Sequence, residues 1–354
     1  MSSSRNKYEK ELYEWIRSFF IIIPIACIVR WGIGELSFVP SESMQNTMFK
    51  GDIVFVSKLH YGPRTPMTPL QIPLTHQTLF GTKVKSYSEA IQLPICRLFS
   101  LSQVKRNDIV IFNCTYEHNI PIDVRTFFVK RCIGLPGETI HMTDDEVFID
   151  NNKIQNFDNF LFKYNITSNV RLTDSWFEKY GITEHKSYID KHVVFATKES
   201  IKKIKSLKYI TSIEKIRVNK NGLFINRFNC SNDCNTANWG PVIIPHKGMC
   251  IDITENSNLT KYYETILDDN YGENVKIINN QLFINNEKII SYTFKHDYYF
   301  MIGDNRYNST DSRFFGFVQD DYIVGKAIFI LISFDESKKW FDHVRWDRCF
   351  KSLQ

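Results

Sequence analysis

Residues 128–138 read Phe128-Val129-Lys130-Arg131-Cys132-Ile133-Gly134-Leu135-Pro136-Gly137-Glu138, an apolar strand pattern interrupted by a lysine and an arginine and closed by a Gly-Leu-Pro-Gly turn. Short runs of β-branched and aromatic residues bounded by turn signals mark strands rather than helices. The pattern recurs on both sides of this stretch: Asp52–Val56, Asp108–Phe112, Thr126–Val129, Val147–Ile149, Leu223–Ile225, Gln281–Ile284, Tyr298–Ile302 and Ala327–Ser333. Lys220-Asn221-Gly222 and Asn285-Asn286 supply turns between them. Helical periodicity is scarce outside the N-terminus and Ser200–Lys208. The fold class expected is therefore mainly β, an antiparallel β-sheet with one N-terminal helix. The middle of the chain is richer in Asn, Lys and Asp, with weaker strand patterns. We expect a main β domain over 37–140 and 295–334, an inserted β-rich domain over 141–294, and a C-terminal tail over 335–354. Tyr61–Val104 reads as a rim insertion, and Gly240-Pro241 to Gly248 as the strand and turn that end the insert.

Composition sets outer limits. The chain has 354 residues, 43% hydrophobic and 14% aromatic, so it can bury a full core and is not a disordered chain. Its net charge of +5, from 44 basic and 39 acidic residues, is too mild to argue for nucleic acid. The 8 cysteines lie too far apart for a dense disulfide scaffold, and no CxxC pair suggests zinc. Cys230 and Cys234 are candidates for one disulfide, Cys27 lies in the apolar N-terminal run, and Cys132 is expected to be buried beside Lys130.

That N-terminal run, Phe19 to Val29, is too short alone to cross a bilayer, but Ile16 to Leu36 reaches a spanning length of about 20 residues. Arg17 and Arg30 would snorkel near its ends. No small-x-small site follows the apolar core: Trp31, Gly32 and Glu35 stand where a cleavable leader would place one. We therefore expect a cytoplasmic tail over 1–17 and an uncleaved transmembrane anchor over 18–36. The lysines and arginines before the span put the tail inside and the remainder outside.

Four stretches carry candidate chemistry. Pro40-Ser41-Glu42-Ser43-Met44 places two serines two apart, so that an extended segment would turn both to one side; its structural alternative is a plain polar turn. Gly51-Asp52-Ile53-Val54-Phe55-Val56 is a turn entering a strand, with structure as its default role. Lys130 sits among Phe128, Val129, Cys132 and Ile133; burial disfavours the ammonium, and a neutral lysine is a usable general base, although a strand lysine more commonly snorkels. Gly303-Asp304-Asn305-Arg306-Tyr307-Asn308-Ser309-Thr310-Asp311-Ser312-Arg313-Phe314-Phe315-Gly316 is a dense polar loop after a strand, a common place for a site. The 9 histidines form no HExxH or H-x-E pattern and lie outside these stretches. A serine activated by a lysine is the economical mechanism.

In order, the chain contains P-S-x-S-M (40–44), G-D-x-x-F-V-x-K (51–58), K-R-x-D-I-V-x-F (105–112), K-R-x-I-G-L-P-G-E (130–138) and G-D-N-R-x-N-S-x-D-S-R-x-x-G (303–316). Together they resemble the bacterial type I signal peptidase family, Ser–Lys endopeptidases that remove signal peptides from exported preproteins. The resemblance implies Ser43 as nucleophile, Lys130 as general base, and an oxyanion hole made of the Ser41 hydroxyl and the Ser43 N–H. It implies a hydrogen bond from Ser309 to Lys130, with Asp304–Arg131 and Asp311–Arg313 as supporting pairs. Val39, Pro40, Met44, Met48, Phe128 and Val129 would line pockets for small residues at −1 and −3. The expected partners are signal peptides and the lipid bilayer, with no nucleic acid, no metal and no cofactor, in a monomer of the inner membrane whose catalytic part faces the periplasm. Three positions depart from the family pattern: Asn46 replaces a common Pro, Asn107 a Gly, and Tyr307 an Asp. Asn accepts a positive φ; the change at Tyr307 bears on loop geometry.

The rival readings are weaker. A self-cleaving Ser–Lys regulator would want a DNA-binding domain instead of an anchor. A β-lactamase-like enzyme would want S-x-x-K with KTG and SDN elements. A catalytically silent, membrane-anchored β-domain acting as an assembly factor is the alternative that predicts Ser43 and Lys130 to be dispensable.

Overall fold

A computed structural model describes residues 2–79, 81–154, 160–182, 184–216, 237–254, 256–335, 338 and 343–353. Helix α1 (Ser2–Gly32) leads directly into an antiparallel sheet. The strands of that sheet are β1 (Gly34–Phe38), β2 (Asp52–Ser57), β3 (Ile109–Asn113), β4 (Phe127–Gly134), β5 (Tyr298–Ile302), β6 (Val318–Gln319), β7 (Ile323–Ser333) and β8 (Lys351–Ser352). Their order is β1-β2-β7-β3-β4-β5-β6, with β8 paired to β7. Residues 171 positions apart in sequence thus lie side by side, with Arg131 on β4 facing Ile302 on β5, and on the other edge of β4 Lys130 faces Val110 on β3. The fold is mainly β, as its alternating runs of β-branched and aromatic residues suggest.

The stretch Tyr13–Gly32 of α1 is 20 residues long, with mean hydropathy 1.5 and none of it buried by the protein. At 1.5 Å per residue it spans about 30 Å, the thickness of a bilayer's hydrocarbon core. The helix ends at Gly32, not at Leu36. Gly34 opens β1, and Glu35 there is buried and ion-paired to Arg30 (2.8 Å) and Lys58 (3.1 Å). Those pairs suit the edge of the sheet rather than lipid, which explains why the apolar stretch stops four residues short of the expected end.

Two cores sandwich the sheet, and a third runs into the insert. Val39, Met44, Met48, Val54, Ile109 and Ala327 pack together on one side. Tyr61, Phe112, Cys132, Met301 and Phe315 form another cluster. The largest cluster joins Ile133, Phe300 and Ile302 of the sheet to Ile140, Trp239, Phe294 and many residues of the insert; Trp239 stacks on Phe300 with ring centroids 5.1 Å apart. The insert therefore shares a continuous core with the sheet, and residue 141 falls inside the strand Thr139–Thr143. Within it stand the sheet Ile210–Lys215, Phe162–Ser168, Lys191–Ala196, Glu184–Ser187 and the helices Lys198–Lys205 and Asn256–Asp269. The stretch 335–354 is less of a tail than expected: β8 pairs with β7, Leu353 is buried, and the Arg348 guanidinium bonds Asp52 at 2.7 Å. Leu223–Ile225, the turn at 220–222, and Cys230 with Cys234 lie outside the described residues.

Candidate active site

Ser41–Thr47 is a succession of turns where the spacing suggested an extended segment. Gln45 N–H bonds Glu42 O, Met48 N–H bonds Met44 O, and Asn46 takes φ 83°, a value Asn tolerates better than other side chains. Met44 and Met48 are fully buried beneath this turn, which anchors the serines above the core. The two hydroxyls still meet, with Ser41 Oγ 3.3 Å from Ser43 Oγ.

Lys130 comes to the same point from β4. Its Nζ donates to Ser43 Oγ at 2.7 Å and to Val129 O at 2.9 Å. It lies 5.5 Å from the centre of the Phe128 ring, and only 4% of the residue is exposed. Burial is the main cause that brings its pKa down to about 8; Asp311 and Asp304 oppose the shift and Arg313 assists it. Cys132, two residues on, is buried as expected, and burial pushes its thiol up, which leaves it inert.

Around the pair stands a buried ionic frame. Asp304 accepts two hydrogen bonds from the Arg131 guanidinium, at 2.8 and 2.7 Å. Thr47 completes this group by donating to Asp304 Oδ2 (2.5 Å) and accepting from Arg131 (3.2 Å). Arg131 also reaches Asn107 O, and Asn107 adopts φ 81°. Asp311 accepts from Arg313 twice, at 2.8 Å each, and from Gly303 N–H at 3.0 Å. Burial alone would raise its carboxyl, but Arg313 outweighs that and holds it below the usual carboxylate range. Both expected supporting pairs are formed.

The expected Ser309–Lys130 hydrogen bond is not formed. Ser309 Oγ is buried and makes no hydrogen bond of ordinary geometry, although it lies on the Asp311 side, where it helps keep that carboxyl ionised. It packs against Gly303 so closely that a Cβ there would stand 2.2 Å from Ser309 Oγ and 2.6 Å from Ser43 O. Only glycine fits at 303, where the end of β5 meets the turn that carries Ser43. Of the expected pocket residues, Pro40 is exposed, Phe128 and Val129 are half-buried, and Val39, Met44 and Met48 are fully buried core.

Three contributors have no counterpart in the sequence reading. Thr47 bridges Arg131 and Asp304, Asn305 N–H bonds Ser43 O at 3.0 Å, and Glu184 reaches Asn305 from the insert. Asn305 lies inside a quoted motif and Thr47 three residues past another, but their roles depend on which partner the fold supplies. Tyr307, where the family pattern has Asp, bonds Asp145 Oδ2 at 2.7 Å and so ties the polar loop to the insert. Among the described residues, His296, Asp320 and Asp321 bring potential metal ligands within 4.8 Å of one another. They sit at the opposite end of β5 from Gly303, and their geometry is that of an ion pair, with His296 Nδ1 3.0 Å from Asp320 Oδ1.

Comparison with known proteins agrees with this arrangement. The profile of the family described as signal peptidase, peptidase S26, matches residues 12–246 and 252–332. A signal peptidase I of Buchnera aphidicola is 27% identical over 348 residues, covering 97% of this chain and 83% of the relative. One from Helicobacter pylori is 24% identical over 367 residues, covering 98% and 95%. One from Rickettsia massiliae is 32% identical over 153 residues, covering 43% and 47%. With the family profile spanning most of its length, this chain belongs to the signal peptidase family, peptidase S26, and is a serine peptidase.

Proposed function

We propose that the protein is a membrane-anchored endopeptidase that removes N-terminal signal peptides from exported preproteins with a Ser43–Lys130 dyad. The observation that carries the proposal is the 2.7 Å contact between Lys130 Nζ and Ser43 Oγ, in a site that lowers the lysine's pKa to about 8. In its ammonium form Nζ donates to both Ser43 and Val129 O. On losing a proton it keeps a donor for Val129 O and turns its lone pair to the Ser43 hydroxyl. Ser43 Oγ then attacks the scissile carbonyl as its proton passes to Lys130. The oxyanion that forms would be received by the Ser43 N–H and the Ser41 hydroxyl, a donor of which class is worth about 3–4 kcal/mol. Collapse of the intermediate passes the proton from Lys130 to the departing amine and leaves the signal peptide as an ester on Ser43. Water, activated by neutral Lys130, hydrolyses that ester. No step calls for a metal or cofactor.

Of the expected pocket residues, Pro40, Phe128 and Val129 offer surface to a substrate, and Val129 packs on the buried Val39, Met44 and Met48; cleavage after small residues at −1 and −3 fits this, since larger side chains would have to displace packed core. The 20-residue apolar stretch of α1 supports anchoring in a membrane; an inner-membrane location, a sheet on the periplasmic side and a monomeric working unit complete the proposal. The test is incubation of the detergent-solubilised protein with a purified preprotein, followed by N-terminal sequencing of the product. Cleavage after a small-x-small segment is expected. An intact preprotein, or cleavage at unrelated sites, would refute the proposal.

A further inference from the structure

The insert is not merely an appendage on the sheet's far side; through the loop after β5 it reaches the turn that carries Ser43. Its strand Glu184–Ser187 is the edge of the four-stranded sheet, with Glu184 paired to Phe195. The same sheet's Phe162–Ser168 strand is preceded by Leu161, whose N–H bonds Asp304 O (2.9 Å) and whose carbonyl accepts from Arg306 N–H (3.1 Å). Two backbone hydrogen bonds thus fasten the insert to the loop after β5, around Asn305.

Asn305 is fully buried and has two tasks. Its backbone N–H donates to Ser43 O at 3.0 Å. Its side-chain Nδ2 donates to Glu42 O at 3.2 Å and to Glu184 Oε2 at 3.1 Å. Both carbonyls flanking the nucleophile's N–Cα unit are therefore held by one residue, and that residue's amide is oriented by a carboxylate of the insert. The orientation follows from the partners: turned over, Oδ1 would face a carbonyl and a carboxylate, three acceptors together. Oδ1 itself is buried without a partner, so nothing on its side competes to hold the amide. Glu184 is the one charged acceptor in this arrangement, and hydrogen bonds to an ionised acceptor are the stronger kind. Burial and the neighbouring Glu42 raise the Glu184 carboxyl's pKa, as expected for an acid drawn into the site rather than left in water.

We infer that Glu184 is a positioning residue: through Asn305 it fixes the Glu42–Ser43 turn, so that the insert sets the aim of the nucleophile toward Lys130. This inference rests on the reading of Ser43 as nucleophile. It gives the insert a catalytic task, although none of its described residues bonds Ser43 Oγ or Lys130 Nζ. A displacement of the nucleophile by a fraction of an ångström is enough to cost an order of magnitude in rate.

The test compares the full-length wild type with Glu184→Ala and Glu184→Gln in detergent. Glu184→Ala should lower kcat for preprotein cleavage about tenfold with KM unchanged within about twofold. Glu184→Gln keeps an acceptor oxygen toward Asn305 and should stay within about threefold of wild type. A small sulfonyl fluoride that modifies Ser43 and is too short to reach the insert should react about tenfold more slowly with Glu184→Ala. If Glu184→Ala lowers the melting temperature by more than a few degrees, Glu184→Asp replaces it, since it keeps the charge but withdraws the acceptor by one methylene. Unchanged rates, an effect on KM alone, or a Gln variant as impaired as the Ala variant would overturn the inference. A wild type that reacts with the sulfonyl fluoride but cleaves no preprotein would refute the proposed function instead, and the sulfonyl fluoride rates would still decide the role of Glu184.

Discussion

Replacing Lys130 with methionine should make the protein inactive and, at neutral pH, more stable. Burial lowers the lysine's pKa from 10.5 in the unfolded chain to about 8 in the fold. At 1.36 kcal/mol per unit, holding the ammonium in that site costs about 3 kcal/mol at pH 7. Methionine fills the same channel with an unbranched apolar chain and carries no such cost. It forfeits the 2.7 Å bond to Ser43 Oγ and the 2.9 Å bond to Val129 O, together worth about 2 kcal/mol net. The expected gain is therefore about 1 kcal/mol at pH 7. Its pH dependence is the sharper part. Between the two pKa values the unfolded chain binds more protons than the folded one, so wild-type stability rises with pH from about 8 to 10.5 and the variant's advantage disappears over that window. Near pH 10.5 the variant should be the less stable by about 2 kcal/mol, the two lost hydrogen bonds alone. Denaturant unfolding of both proteins in the same detergent, at pH 7 and pH 10.5, measures the difference. A variant that is destabilised equally at both values would refute the claim that Lys130 is a desolvated amine.

Cleavage should follow the neutral fraction of Lys130: kcat/KM half-maximal near pH 8 and falling about tenfold per unit below it, as read from initial rates between pH 5.5 and 9. Asp311→Asn removes the first of the charges that raise the Lys130 pKa, so the acid limb should move to lower pH in whatever folded fraction remains; a shift to higher pH would contradict the electrostatic assignment. Asp304→Asn leaves the Arg131 guanidinium buried against a neutral amide and should cost about 3–5 kcal/mol of stability by denaturant titration, whereas a surface-like loss under 1 kcal/mol would show that the pair is not desolvated. Gly303→Ala puts a methyl 2.6 Å from Ser43 O and should lower kcat at least tenfold, measured on preprotein and sulfonyl fluoride alike.

The parts of the fold legible in the sequence were those with a local signature. Gln281–Ile284 and Tyr298–Ile302 are strands over the expected residues because each alternation is bounded by turn residues, and Asn285-Asn286 indeed takes positive φ at both positions. The helix Asn256–Asp269 went unread, although Leu259, Tyr262 and Ile266 fall at helical spacing and are buried; their polar neighbours in an Asn- and Asp-rich region hid the period. The meeting of Ser43 and Lys130 was legible because the motifs around them are dense. What the motifs could not carry was partner choice. Ser309 sits in the expected loop but faces Gly303 rather than Lys130, a matter of loop curvature. Thr47 bonds Asp304 257 positions away, and Glu184 lies in a segment with no motif at all, so their roles arise only from the pairing of distant strands. Met44 and Met48 turned out to be fully buried core, because hydrophobic residues flanking a turn are drawn under it.

The most direct measurement of the central claim is the site of the covalent intermediate. The protein is mixed with a preprotein, quenched in acid within the first turnover, digested, and mapped by mass spectrometry, with Ser43→Ala and Lys130→Ala treated in parallel. The account predicts a signal-peptide ester on Ser43 in the wild type, and no ester and no processing in either variant. An ester on another residue, or undiminished processing by Ser43→Ala, would contradict it.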